Sequence, residues 1–326
     1  MKNGYSDDRM IAEALDRVER GSPLSVDGLT MTPLLDGRAG EARYQTLQEA
    51  IEGGGFAVEE VSESGQVSEL RVRNKGSQPV FLLDGEEVLG AKQNRVVNLS
   101  IMVPPQSATV IPVACVERGR WSRVSDEFRS SPNSLPSRDR AAKMRDVSGA
   151  MRRGAPPRTD QARVWSDLEQ RAQRLGVNSA TDAMDEIFAN RHDQLQRFAT
   201  KYTPVEHQVG AIFALHGREC GIELFDASST WAHFVPRLVR SWAVDAIDEE
   251  MTEMASSSSE VKVLDVLRTG AWASSPSLGL GSDVRLSTTE VTGASLVVGG
   301  EVVHLAAFVG LGRKSDHTPR RRSLWV

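Results

Sequence analysis

The sequence predicts an α+β fold, on three observations. Runs rich in Val, Ile and Leu, punctuated by Gly, Pro, Asn and Ser, crowd residues 56–116 and 283–309 and read as strands. Segments with apolar residues three and four apart read as amphipathic helices. A helical middle separates a β-rich N-terminal half from a C-terminal half that mixes both.

In order, Ser6 to about Glu19 reads as a helix, with Ser6 as N-cap, acids in the first turn and Ile11, Leu15 and Val18 on one face. Leu29 to Leu35 is a strand, and Tyr44 to Ile51 a short helix stopped by the glycines at 53–55. Strand character follows at Phe56 to Val61, Glu69 to Arg73, Val80 to Leu83, Arg95 to Val103 and Thr109 to Val116. Asp84-Gly85 is the strongest turn signal among them. Ser122 to Arg163 carries ten Lys/Arg against five Asp/Glu and reads as a solvated, loop-rich excursion with one short helix near 139–152. Helices are expected at about 160–175 and 181–202, the second capped by Ser179 or Thr181. Val209 to Leu215 and Gly221 to Phe225 form a hairpin around His216-Gly217. Ser229 to about Met254 is a helix, and Val261 to Trp272 another, beyond the serine run 256–259. Three strands close the chain, the last two turning at Gly299-Gly300. FLLDGEEVLG (81–90), FALHGRECGI (213–222) and LVVGGEVVHL (296–305) echo one another and read as three hairpins built on the same turn rules. The expected organisation is an N-terminal arm (1–25), a β-rich subdomain (26–121), the basic excursion (122–163), a helical and α+β subdomain (164–312) and a basic tail (313–326).

The 326 residues, 40% hydrophobic, suffice for one large core or two modest ones. A net charge of -5 argues against a dedicated nucleic-acid binder. Two cysteines, Cys115 and Cys220, make no zinc framework and suit a reducing cytoplasm. The start MKNGYSDDRMIAEAL has no apolar leader region, and no run is long enough to span a bilayer, so a cytoplasmic location is expected. The six histidines show no metal-binding spacing, so no metal is expected.

Candidate chemistry is densest between Asp84 and Trp121. Lys92, Gln93, Asn94 and Arg95 sit between apolar strands. Together with Glu117, Arg120 and Trp121 they offer cations, amides and an aromatic face for an anionic, sugar-like or nucleotide ligand. Glu86 and Glu87 are the acid/base candidates. Being adjacent on a strand, they point to opposite faces. An internal ion pair is the competing reading. Gly85, Gly90, Ala91 and Lys92 fail as a phosphate loop: one residue too many precedes the lysine, no Ser or Thr follows it, and two glutamates occupy the cradle. Cys115 lies in an apolar strand and reads as a core thiol. As a nucleophile it needs a histidine within reach, for which His304 is the candidate.

GEEVLGAKQNR, the strand pair after it and VACVERGRW resemble the ARPP domain family, the ARG and rhodanese-phosphatase-superfamily-associated protein domain. TMTPL, YQTLQEAI, QARVW, GIELFD, LVRSWAVDAI and EVVHLAAF extend the resemblance over roughly 29–310. The resemblance implies an association with ADP-ribosylglycohydrolases and hence an ADP-ribose-like or NAD-derived ligand. It assigns no residue roles and no cofactor. The competing expectation is a non-enzymatic interaction or scaffold module. A homodimer is expected from the commonness of closed symmetric pairs.

Overall fold

Period-two burial builds three sheets, and a long, deeply buried helix fills the space between them. The computed structural model describes residues 6–252 and 262–310. The N-terminal part runs α1 (Asp7–Arg17), β1 (Glu19–Arg20), β2 (Leu24–Val26), β3 (Leu29–Leu35), β4 (Gln45–Thr46), α2 (Leu47–Glu52), β5 (Phe56–Glu60) and β6 (Glu69–Asn74). It continues through β7 (Val80–Leu82), β8 (Glu86–Gly90), β9 (Arg95–Val97), β10 (Ile101–Val103), β11 (Ser107–Cys115) and β12 (Phe128–Ser134). The middle is α3 (Ser137–Arg152), α4 (Gln161–Arg174), α5 (Met184–Asn190) and α6 (His192–Lys201). The rest is β13 (Gln208–Leu215), β14 (Arg218–Phe225), α7 (Ser228–Thr252), α8 (Val263–Thr269), β15 (Ala273–Pro276), β16 (Ser282–Ser287), β17 (Val291–Val298) and β18 (Glu301–Val309).

The largest sheet has the order β1-β3-β13-β14-β18-β17-β16-β15, with β2 also paired to β3. Its strands come from both ends of the chain, so the two halves share one sheet. One face packs on α1 and α8, burying Ile11, Leu15, Leu264 and Leu267 with Ile222 and Leu224. The other face meets α7, whose Trp231, Phe234, Leu238 and Trp242 are fully buried. Trp242 stacks on Phe213 at 4.9 Å. α7 lies between the large sheet and β12, and the charged side chains it carries inward, such as Arg237 and Asp245, are met by ion pairs there. The sheets β12-β8-β9-β11-β6-β5 and β10-β7-β4 enclose a third core of Leu70, Val72, Leu82, Val97, Ile101 and Ile111.

The α+β class is observed. β3 has the expected bounds, and the 213–222 and 296–305 segments are antiparallel hairpins. The 81–90 segment is not a hairpin: β7 and β8 lie in different sheets, and Asp84-Gly85 is the crossover between them. The physical reason is Asp84, whose side chain is drawn into a buried ion network rather than left at a solvated turn. Gly85, at φ 81°, is required there because a Cβ would stand 2.9 Å from the Arg140 side chain. The single strand expected over 95–103 is two, β9 and β10, again in separate sheets.

The excursion 122–163 holds an ordered edge strand, β12, and the sixteen-residue helix α3. Pro132 and the bulge between Ser130 and Ser134 give β12 the polar, turn-like text SSPNS at a sheet edge. α3 is not solvated on its basic face, since Arg140 and Lys143 are fully buried. The helix expected over 181–202 breaks at Arg191 into α5 and α6. Ser179 accepts the Ala183 N–H at 3.0 Å, while the Thr181 hydroxyl turns instead to Glu117. The serine run and the basic tail lie outside the described residues. Among the described residues no helix is long and apolar enough to cross a membrane.

Candidate functional site

The 85–95 element is a short antiparallel pair, β8 and β9, closed by Ala91 to Asn94 with Ala91 at φ 41°. Gly90 is fixed by crowding: a Cβ would lie 2.6 Å from Ser125 Oγ and 2.9 Å from the Glu127 carbonyl. Glu86 and Glu87 do point to opposite faces, and both are fully buried. Glu86 pairs with Arg237 of α7 at 2.5 Å and accepts the Leu83 N–H at 3.1 Å. Glu87 accepts a 2.6 Å hydrogen bond from Ser131, and burial pushes its carboxyl up to about 8.

The other predicted residues gather on the far side of this pair. Lys92 donates to the Glu63 and Ser64 carbonyls at 2.6 and 2.7 Å. Arg95 donates to Gln93 Oε1 at 3.1 Å, and Cys115 Sγ lies 3.1 Å from the same oxygen. Burial lowers the affinity of Arg95 for its proton and raises that of the Cys115 thiol. Glu117 pairs with Arg120 at 2.6 Å and accepts the Asn94 N–H at 3.0 Å. Burial works to raise the Glu117 carboxyl, but these bonds outweigh it and hold it below the usual range. Trp121, 47% exposed, covers Arg95 at 5.7 Å and Lys92 at 5.4 Å. The set is thus assembled, but most of its polar atoms already serve one another.

His304 lies elsewhere, in a buried network between α3 and the large sheet. Lys143 pairs with Asp84, Arg140 with Glu223 and Asp84, and Arg285 with Asp283. Three acids face three bases, so the interior holds no uncompensated charge. Burial pushes Lys143 down to about 8 despite Asp84. Asp84, which burial would raise, is held low by Lys143 and Arg140. His304 bridges Ser100 at 2.9 Å and Glu223 at 3.1 Å.

An open cavity lies apart from the 85–95 element. It has a volume of about 770 Å³ and sits under the 36–44 loop, which is tied to the start of α7 by a bridge between Gly40 and Ala227. On its floor the Tyr44 hydroxyl donates to Asp226 at 2.5 Å and lies 2.9 Å from Thr230 Oγ1. Burial pushes Asp226 up to about 6, and burial together with the Asp226 charge raises Tyr44. Arg17, Arg38 and Arg43 stand at the rim beside Glu41 and Glu301, with Arg17 paired to Asp36 at 3.2 Å. Met102, Leu280, Val298 and Val303 make an apolar wall.

Residues 17–308 match the family model described as the ARG and Rhodanese-Phosphatase-superfamily-associated Protein domain. The chain belongs to that family. No curated protein and no solved structure matches it. The family's span takes in both the 85–95 element and the cleft. Sequence reasoning missed Tyr44, Asp226, Ser100 and Glu223. Their only prior signal was membership in apolar runs such as GIELFD. For Arg140 and Lys143 a signal existed: they share a helical face with Ala141, Met144 and Val147. Among the described residues no group of His, Cys, Asp and Glu could hold a metal ion.

Proposed function

We propose that this chain is a ligand-binding domain whose cleft takes an ADP-ribose-like or nucleotide molecule, and that the 85–95 element, apart from the cleft, braces the fold. The observation that carries this reading is the Tyr44–Asp226 contact of 2.5 Å on the floor of an open cavity of about 770 Å³. That volume suits a drug-sized ligand, and a perturbed carboxyl in an open, partly apolar hollow marks a functional site. The rim arginines suit phosphate, the floor and the rim acids suit sugar hydroxyls, and the wall from Met102 to Val303 suits a base. The family's association with ARG proteins favours ADP-ribose as the first probe.

The test is a thermal-shift titration with ADP-ribose, with NAD and nucleotides alongside. At 100 times its dissociation constant a ligand adds roughly 2.7 kcal/mol, a clear rise in melting temperature. Arg43→Ala and Asp226→Asn should weaken the response and Lys92→Ala should leave it intact. No response to any probe, or a response lost only in Lys92→Ala, overturns the reading.

One observation favours the second reading, a scaffold or interaction module. Glu86 and Arg237 are buried against each other, and Lys92 is held by backbone carbonyls, as expected of an element that only supports structure. A silent titration combined with large stability losses on mutating this element supports that alternative.

A further inference from the structure

Ser100, His304 and Glu223 form a continuous hydrogen-bonded relay. Glu223, as a carboxylate, can only accept, so the neutral imidazole carries its proton on Nε2 toward Glu223 Oε2 at 3.1 Å. Nδ1 is then an acceptor, and the Ser100 hydroxyl donates to it at 2.9 Å. The Asp84 N–H donates to Ser100 Oγ at 3.0 Å and fixes the hydroxyl from the other side. A hydroxyl, a base within reach and an acid orienting the base is the arrangement of an activated nucleophile. The relay borders a void of about 10 Å³, room for one water-sized group.

The void and the cleft lie along the same strands, β17 and β18. Along β17, Val298 lines the cleft, whereas Leu296 and Ala294, two and four residues back on the same face, line the void. Likewise Met102 lines the cleft and Ser100 the void. Met102 and Leu280 line the cleft, tied by a 2.8 Å bond from the Leu280 N–H to the Met102 carbonyl, and Met102 stands two residues from Ser100. A methionine, unbranched and with three rotatable bonds, is the side chain best able to fold aside there.

We propose that Ser100 is the nucleophile of an acyl-transfer site reached from the cleft past Met102, with His304 as its base and Glu223 as the group that positions His304. The substrate class is a small neutral acyl ester. The ion pairs beside the void are internally balanced, which suits a neutral substrate, and with Met102 folded aside Leu99, Leu296 and Ala294 face a short acyl chain. Ser100 Oγ bonds to the acyl carbon as its proton passes to His304 Nδ1. The ester C–O bond then breaks, and the leaving alkoxide takes that proton and departs as an alcohol. Water, deprotonated by His304, attacks the acyl-serine and releases the acid. The route of entry rests on the cleft being open to ligand, but not on that ligand being ADP-ribose.

The experiment is labelling of the intact protein with methanesulfonyl fluoride, read by peptide mass mapping. The Ser100 Oγ–S bond forms, the S–F bond breaks, fluoride leaves and the proton passes to His304. Modification at Ser100 is expected, faster in Met102→Ala and absent in Ser100→Ala. Loss of a general base should slow labelling at least about a hundredfold in His304→Gln, which keeps an amide donor toward Glu223. Labelling without any thermal response to ADP-ribose upholds the relay and removes only that ligand. An unlabelled Ser100 in both the wild type and a folded Met102→Ala variant overturns the proposal, as does an unchanged rate in His304→Gln.

Discussion

The 85–95 element and the 36–44 cleft are both rich in charge, yet one is closed and the other open. In the element and the network beside it, acids meet bases inside the protein: Glu86 with Arg237, Asp84 with Lys143, Glu223 with Arg140. In the cleft, Arg38 and Arg43 stand at an open hollow that also holds the protonatable Asp226 carboxyl. A dense run of polar residue types in sequence therefore marks where ions are needed, but not whether they serve the fold or a ligand. Burial separates the two cases. Removing one partner of a buried pair strands a charge, whereas removing a rim side chain leaves water in its place.

That contrast orders the expected effects. Lys143→Met or Asp84→Leu should destabilise by about 3–5 kcal/mol, and the Lys143→Met/Asp84→Leu pair by less than the sum of the single changes. Denaturant unfolding checks this, and additive losses would break the comparison on the closed side. Thr46→Ala, which removes a capping box reciprocated by Glu49, should lower stability by about 1 kcal/mol. Tyr44→Phe should lower it by about 0.5–1.5 kcal/mol through the lost bond to Asp226, yet remove much of the ligand response. Lys92→Ala, partly exposed and bonded to carbonyls, should change stability by no more than about 0.5 kcal/mol.

The closed region also carries a pH signature. Glu87 in the folded state keeps its proton up to about 8, whereas in the unfolded chain it ionises near 4.5. Between those values the unfolded state binds fewer protons, so this group makes stability fall as pH rises through that window. Glu87→Gln should flatten the decline in melting temperature between pH 4.5 and 8. An unaltered slope would show that Glu87 is ionised in the fold.

Much of the fold was legible because apolar period and turn chemistry act locally. β3, the 216–217 and 299–300 hairpins and the helix bodies α4 and α7 follow from residues near in sequence. What escaped is non-local. Asp84-Gly85 has the composition of a hairpin turn, and only the Lys143 ammonium, 59 residues on, turns it into a crossover between sheets. The basic residues of 122–163 look solvated until α3 is seen to carry two of them into the interior. In the candidate sites, Lys92, Asn94, Arg95, Glu117, Arg120 and Trp121 did come together, being joined by one β pair and its neighbour strand. Tyr44 with Asp226, and Ser100 with His304, are brought together only by the large sheet and α7, across separations of 182 and 204 residues.

The most direct test of the division between closed and open regions is amide hydrogen exchange with and without saturating ADP-ribose, read by peptide. New protection is expected in 36–44 and 226–231, with 85–95 and 117–121 unchanged. Protection appearing in 85–95 and 117–121 instead, with the 36–44 loop unaffected, would contradict it.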